Sequence, residues 1–431
     1  MSSTKLTKIK DIVARFDFLN INSHHKIDNK LIHSYENYLQ YRKLNENEEI
    51  FPIGIPTFIN VTSDCTNCFY GFQIDSYMFG CSHECTYCWA KSELTKVSQW
   101  NSPAPVPIDL TSLWMALFQT FEKENDNSPK HPLSSILKRK IPIRIGSMSD
   151  PFLSLEKKYL ITFELIKLLN FYNYPYVLLT RSHLVSEDLY LDLIKPENAT
   201  IQISIPSTNE SFIRLIEPGS PSAIERLAAI KKLRSRNIWV TARLNPLFPN
   251  YPDGHFSLNN GDFNSKPSYD FFNLQTLEKL KENDCLSVLV GFVHLDQSTM
   301  ETVSNKLSLD LSSYMTTESR NLIQGFTYSR PEIRMYYEKI HDRCKELKLG
   351  FSTCYLGLGD QYFWKDKDLW ANKEDCCNLK GNVKNFKDTA LDINMSEQIS
   401  NSNVNQSPLK NYFLLFILKT KSFMMKKIFY Q

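Results

Sequence analysis

Cys81-Ser82-His83-Glu84-Cys85-Thr86-Tyr87-Cys88 spaces three thiols as C-x3-C-x2-C on one short segment. Iron–sulfur clusters are normally held by four cysteine thiolates, so three on one loop leave one iron open to bind a substrate or cofactor. A second pattern overlaps the first. Cys65-x2-Cys68, sixteen residues, then Cys85-x2-Cys88 also fits the C-x2-C-x15–20-C-x2-C spacing of zinc, which would take four closed tetrahedral ligands and leave Cys81 a bystander. What surrounds the loop weighs between the two readings.

Outward from the loop, short β-rich apolar runs alternate with segments of helical period. Strands are expected at Gln73–Phe79, Ile141–Ile145, Tyr176–Thr180, Thr200–Ile205, Ile238–Leu244 and Leu286–Val293. Leu110, Leu113, Trp114, Leu117, Phe118 and Phe121 form one helical stripe, and Ile224, Leu227, Ala228 and Leu233 another. The second helix has a start signal in Pro221, at a first-turn position, and in the capping box Ser222-x-x-Glu225. Alternating strand and helix imply an α/β fold with a parallel sheet, and six units from about residue 72 to 300 suit an open (β/α)6 partial barrel. In parallel α/β folds chemistry gathers at the C-terminal ends of the strands. The cysteine loop follows the first strand, where such an active site belongs; a zinc ribbon has no need of that context.

The later strand ends are rich in small and polar residues. The second runs into Gly146-Ser147-Met148-Ser149-Asp150-Pro151-Phe152, with Glu156 opening the next helix. The third ends in Thr180-Arg181-Ser182, the fourth in Ser204-Ile205-Pro206, and the fifth in Arg243-Leu244-Asn245-Pro246-Leu247-Phe248-Pro249.

With the aromatic Tyr87 before its third cysteine, the loop resembles the cluster loop of the radical SAM superfamily. That resemblance implies a partial TIM barrel of radical SAM type and a 4Fe-4S cluster on Cys81, Cys85 and Cys88. The open iron would chelate the amino and carboxylate groups of S-adenosylmethionine (SAM). One electron passed to the sulfonium would yield methionine and a 5′-deoxyadenosyl radical that abstracts hydrogen from a substrate.

The strand-end succession, with Glu217-Pro218 and Ser222–Leu227, is similar to the spore product lyase-like, or DNA repair photolyase-like, branch over roughly residues 70–255, and more loosely to about 380. By that resemblance Ser149, Asp150, Ser182 and Ser204 are SAM contacts, Arg243 is a substrate or carboxylate contact, and Tyr87, which matches a tyrosine of the lyase, is the catalytic candidate. Read without it, Ser149 caps the following helix and Arg243 pairs with a nearby carboxylate. The implied partners are a one-electron donor such as a flavodoxin or ferredoxin and a substrate that the sequence does not name, nucleic acid among the options. Two departures separate this chain from the lyase. Ser147 stands where the lyase has its hydrogen-donating cysteine, and Trp89 where it has a tyrosine after the third cluster cysteine. A hydroxyl is a far poorer hydrogen-atom donor than a thiol, so thymine-dimer reversal does not carry over.

Cys65, Cys68, Cys354, Cys376 and Cys377 make a candidate second site, for an auxiliary iron–sulfur cluster as in related radical SAM enzymes, for zinc, or for no metal. Adjacent Cys376-Cys377 can seldom both ligate one metal. Cys344, on one helical face with Ile333, Tyr336, Tyr337 and Ile340, and Cys285, at the start of a buried strand, read as core hydrophobes, and His83 as a spacer between thiolates, with a ligand role as the alternative.

The chain has 431 residues, 42% of them hydrophobic and 23% charged, enough for one barrel-sized domain with additions. A formal net charge of +3 is too small to argue for nucleic acid by itself. The clusters Lys138-Arg139-Lys140 and Lys231 to Arg236 read as solvated surface. Met1 to Arg15 lacks the apolar core of a secretory signal, and ten clustered cysteines suit metal or redox sites in a reducing compartment, so a cytoplasmic protein is expected. The run Tyr412–Leu418 falls short of the roughly 20 residues of a membrane span. The expected divisions are an N-terminal extension (1–64), a radical SAM barrel (65–300), a cysteine-bearing extension (301–388) and a flexible polar linker and tail (389–431), with no internal repeat. Two other function classes stay open: a zinc-binding nucleic-acid adaptor using Cys65, Cys68, Cys85 and Cys88, and a radical SAM enzyme that modifies peptide or RNA.

Overall fold

The computed structural model describes residues 60–61, 72–96, 100, 105–108, 110–121, 134–250, 271–320, 323–353, 369 and 377. Its strands are β1 (Asn60–Val61), β2 (Phe72–Ile74), β3 (Tyr77–Met78), β4 (Val106–Pro107), β5 (Ile143–Ile145), β6 (Tyr176–Thr180), β7 (Ala199–Ser204), β8 (Trp239–Leu247), β9 (Ser287–Phe292), β10 (Thr316–Arg320), β11 (Ile323–Thr327) and β12 (Gly350–Thr353). One eight-stranded sheet runs β1-β2-β5-β6-β7-β8-β9-β12. Every ladder from β2 to β12 is parallel, and β1 lies antiparallel on the β2 edge. Neighbours in this sheet follow one another in sequence, as strands joined by helical crossovers do. Among the described residues the end strands are not paired with each other, so the sheet is open.

Helices fill the crossovers: Thr111–Phe121 before β5, Ile161–Phe171 before β6, Glu210–Ile216 and Ala223–Ser235 before β8, Gln275–Glu282 before β9, and Arg330–Leu347 before β12. All six residues of β7 and of β9 are buried, the mark of a parallel sheet covered on both faces. Side chains alternate along each strand. In β7 Ile201 and Ile203 join the hydrophobic core, while Gln202 accepts a 2.9 Å hydrogen bond from Arg243 Nη1 of β8. Core packing thus falls to one face and polar side chains to the other.

The structure departs from the sequence reading in three places. The first strand breaks after Ile74, because the Asp75 carboxylate turns to accept amides from another loop; Tyr77–Met78 then pairs with β4 in a separate ribbon. The six marked parallel strands gain a seventh, β12, too short to stand out behind the 18-residue helix Arg330–Leu347. In Ala223–Ser235 the buried face is Ala223, Arg226, Leu227, Ala229, Ile230 and Leu233, whereas Ile224 is 70% exposed and Ala228 also faces solvent. The rotation follows Arg226, a cation no apolar stripe includes, which is buried because its partners are. Ser222 does form the capping box with Glu225, and Pro221 precedes that cap.

Cys285 and Cys344 are buried core residues, and no described helix is long and apolar enough to cross a membrane. Cys65, Cys68, Cys354, Cys376, the run Tyr412–Leu418 and the expected tail 389–431 lie outside the described residues.

Candidate active site at the three-cysteine loop

The loop leaves the C-terminal side of β2 and ends in the helix Trp89–Lys96. Cys85 is 4% exposed, Cys81 and Cys88 are half-buried, and none of the three is in a disulfide. Cys88 N donates to Cys85 O (3.2 Å), and the Lys91 amide in the first helical turn donates to Cys88 Sγ (3.3 Å). Burial pushes the Cys81 thiol up to about 11, with the Asp150 charge adding to it, and pushes Cys85 higher still against the opposing pull of Arg181.

Asp75 organises the neighbouring strand end. Its Oδ1 accepts the amides of Ser147 (2.7 Å), Met148 (2.9 Å) and Ser149 (3.2 Å). Burial nevertheless raises its carboxyl to about 6. The turn depends on Gly146, at φ 94°, where a Cβ would stand 2.5 Å from Leu179 O. Ser149 Oγ then donates to Gly80 O (2.8 Å), so this serine fastens the start of the cysteine loop and caps no helix.

Asp150 accepts Thr180 Oγ1 (2.6 Å) and Phe152 N (2.9 Å) on Oδ1 and Arg181 N (2.8 Å) on Oδ2. His83 Nε2 stands 3.2 Å from Oδ2, at ion-pair distance but outside hydrogen-bond geometry. Burial opposes ionisation here, yet His83 and these donors outweigh it and hold the carboxyl at about 2. Ser182 Oγ accepts Leu184 N and caps the 3₁₀ turn His183–Ser186. Arg243 bonds the amide of Gln202, not a carboxylate.

The third wall comes from residues far along the chain. The Arg181 guanidinium contacts Cys85 Sγ, lies 5.9 Å above the Tyr87 ring and comes within 4.0 Å of Glu217. Tyr87 donates its hydroxyl to Glu217 Oε1, and Arg226 Nη2 meets Glu217 Oε2 at 2.5 Å. The Glu217 and Arg226 side chains are both fully buried. Burial alone would raise the Glu217 carboxyl; Arg226 and Arg181 hold it below the usual range.

These walls enclose a cavity of about 380 Å³, within the span of small-molecule sites. Cys81, Cys85, Cys88, Tyr87, Ser149, Asp150, Ser204 and Arg243 line it, and Ser182 does not. Among the described residues no three His, Cys, Asp or Glu side chains are gathered around a single ion. Each thiolate of a cubane takes a different iron, however, so its sulfurs stand wider apart than the ligands of one ion. Three thiols around one cavity, with no other described cysteine lining it, suit a cluster with one open iron. Of the candidate second site only Cys377 is described. It is buried, and Arg144 Nη2 lies 3.4 Å from its sulfur.

Sequence reading missed Asp75, Arg181 and Glu217, and took His83 for a spacer where it is a buried tether. Trp100 and His294 also line the cavity unannounced. The available signals were Glu217-Pro218 and the strand end Thr180-Arg181-Ser182, in which neither Glu217 nor Arg181 had a role.

Residues 76–257 match the model of the Radical SAM superfamily. An uncharacterised protein of Methanocaldococcus jannaschii is 25% identical over 214 residues, 49% of this chain and 73% of its own. One from Mycobacterium tuberculosis is 24% identical over 187 residues, 43% of this chain, and the chain spans about half, 52%, of that relative's length. Among solved structures, spore photoproduct lyase with bound AdoMet and dinucleoside spore photoproduct superposes with TM-score 0.49 at 16% identity, covering 71% of this chain and 79% of that one. SuiB of Streptococcus suis bound to S-adenosylmethionine gives TM-score 0.41 at 12% identity, covering 66% and 51%. The span similar to the radical SAM family model thus takes in the cysteine loop and strands β5 to β8.

Proposed function

We propose that Cys81, Cys85 and Cys88 hold a 4Fe-4S cluster whose open iron binds SAM in the 380 Å³ cavity, at the mouth of a sheet curved as an open partial barrel. The observation that carries this reading is the convergence of all three thiols on the cavity that Ser149, Asp150, Ser204 and Arg243 also line. When bound, the pair supplies reductive cleavage of SAM to methionine and a 5′-deoxyadenosyl radical.

In this reading Arg181 places a fixed positive charge against the Cys85 sulfur and favours its thiolate. Asp75 draws three successive amides into one turn, which aims Ser147 and Met148 into the cavity. Ser204 and Arg243 contact the bound cofactor or substrate. Ser149 and Asp150, bonded to Gly80, Thr180 and Arg181, shape the wall against the methionyl group, and Ser182 holds its turn from behind. Tyr87, Trp89, Phe292 and Leu295 form an apolar screen against water. The partners in this proposal are a flavodoxin- or ferredoxin-type electron donor and a nucleic-acid substrate in the cytoplasm, by likeness to the spore product lyase-like branch. Ser147 stands in the place of that enzyme's thiol donor.

The test is anaerobic reconstitution with iron and sulfide, followed by SAM and a strong reductant. The wild type should form 5′-deoxyadenosine and should repair the spore-type thymine dimer slowly or not at all. Cys81→Ala should lose both iron and SAM cleavage; full iron retention in that variant overturns the reading. About eight irons per chain would place a second cluster among Cys65, Cys68, Cys354, Cys376 and Cys377, whereas about four with no zinc would leave those cysteines without a metal.

A further inference from the structure

We propose that the turn Ile216–Gly219 is a template that holds the three-cysteine loop in its cluster-binding form before iron arrives, with Glu217 as its positioning residue. This rests on the reading of Cys81, Cys85 and Cys88 as the ligands.

Both spacers of the C-x3-C-x2-C loop are fastened to this one turn, across more than a hundred residues of sequence. In the first spacer Gly219 N donates to His83 O (3.0 Å), and His83 Nδ1 lies 3.2 Å from Gly219 O. In the second, Thr86 donates to Ile216 O through its amide (2.8 Å) and its hydroxyl (3.2 Å), and Tyr87 donates its hydroxyl to Glu217. The approach is close enough to require glycine: a Cβ on Gly219 would stand 2.1 Å from Ser82 O and 3.0 Å from His83 Cα, both backbone atoms that no rotamer change can move.

Glu217 extends the template from backbone to chemistry. One carboxylate oxygen takes Tyr87, the other takes Arg226, and Arg181 comes within 4.0 Å while touching Cys85. Buried ion pairs of this kind seldom add stability over a well-packed apolar substitute. Their geometry, by contrast, determines where Arg181 and Tyr87 stand relative to the central thiol.

The experiment measures alkylation of each cysteine by iodoacetamide, read by peptide mass spectrometry, in the full-length chain purified without iron. Wild type is compared with Gly219→Ala and Glu217→Gln, and buried Cys285 and Cys344 serve as internal controls. Template loss should speed alkylation of Cys85 about tenfold in each variant, the order expected when a buried hydrogen bond is lost, with the controls unchanged. Equal rates at Cys85 in wild type and both variants overturn the proposal. So does a parallel rise at Cys285 and Cys344 in both variants, which would make the turn a contributor to general stability only.

After reconstitution, Glu217→Gln should raise the cluster's midpoint potential, because Arg181 loses part of its compensating negative charge beside Cys85. A tenfold shift in the reduction equilibrium corresponds to about 59 mV for one electron. An unmoved potential removes Glu217 from the positioning role. The alkylation arm does not depend on metal, so the template can fail while Cys81→Ala still abolishes iron binding, and the converse is equally readable.

Discussion

Glu156 and Glu217 are the same residue in two equally buried places, with carboxyls displaced in opposite directions. Glu156 accepts four hydrogen bonds, from the hydroxyls of Tyr77 and Tyr190 (2.6 Å) and the amides of Thr162 (3.0 Å) and Phe163 (2.9 Å). All four donors are neutral, and burial still raises its carboxyl. Glu217 has fewer donors, but two of its neighbours are guanidinium groups, and it is held low. At Glu156 neutral donors do not offset the cost of burying the charge, whereas at Glu217 the guanidinium countercharges do. The Glu156 region therefore works as a bracket between β3 and the helices that follow β5, while the Glu217 region puts a permanent field beside the cysteine loop.

Arg226→Ala gives the sharpest way to break this contrast, since it leaves buried Glu217 with only the Tyr87 hydroxyl and the more distant Arg181 as partners. It should cost about 3–5 kcal/mol in urea unfolding. A loss below 1 kcal/mol would mean that Glu217 does not depend on the pair.

The aspartates repeat the contrast in a form that pH resolves. Asp75, like Glu156, is bonded by neutral donors and raised to about 6. The folded state then holds its proton more tightly than the unfolded state, so this group's contribution to stability falls as pH rises from about 4 to about 6. Relative to wild type, Asp75→Asn should gain about 3 kcal/mol across that window and no more above it. A difference that does not change with pH would show the three amides alone keep Asp75 charged.

Asp150, like Glu217, is lowered, to about 2. Its contribution is fully present above about pH 4 and is lost as pH falls toward 2. Wild type should therefore lose about 2 kcal/mol relative to Asp150→Asn over that interval, measured by denaturant unfolding at stepped pH. The smallest effect is expected for Tyr190→Phe, which removes one of four donors to Glu156 and should cost about 1 kcal/mol. A cost matching that of Arg226→Ala would erase the distinction between bracket and field.

How much of this was legible depended on distance along the chain. Five of the six marked strands lie where the runs of β-rich residues put them, because a buried parallel strand announces itself locally. The first broke at Asp75, whose partners are the amides of Ser147, Met148 and Ser149 some seventy residues away. The capping box at Ser222 was readable since its two halves are three residues apart. Arg226, in the next turn of the same helix, stood outside the apolar stripe and is fully buried.

The sequence by itself determined that three thiols stand on one loop after a β-strand and that strand and helix alternate along the chain. Spacing and periodicity are properties of neighbouring residues, and they survive without coordinates. Tertiary structure alone decided which charges face the loop. Tyr87 and Glu217 are 130 residues apart, and Cys85 and Arg181 are 96 apart. They meet because parallel strands bring successive C-terminal ends to one side of the sheet, and burial there turns each surviving charge into a strong local field.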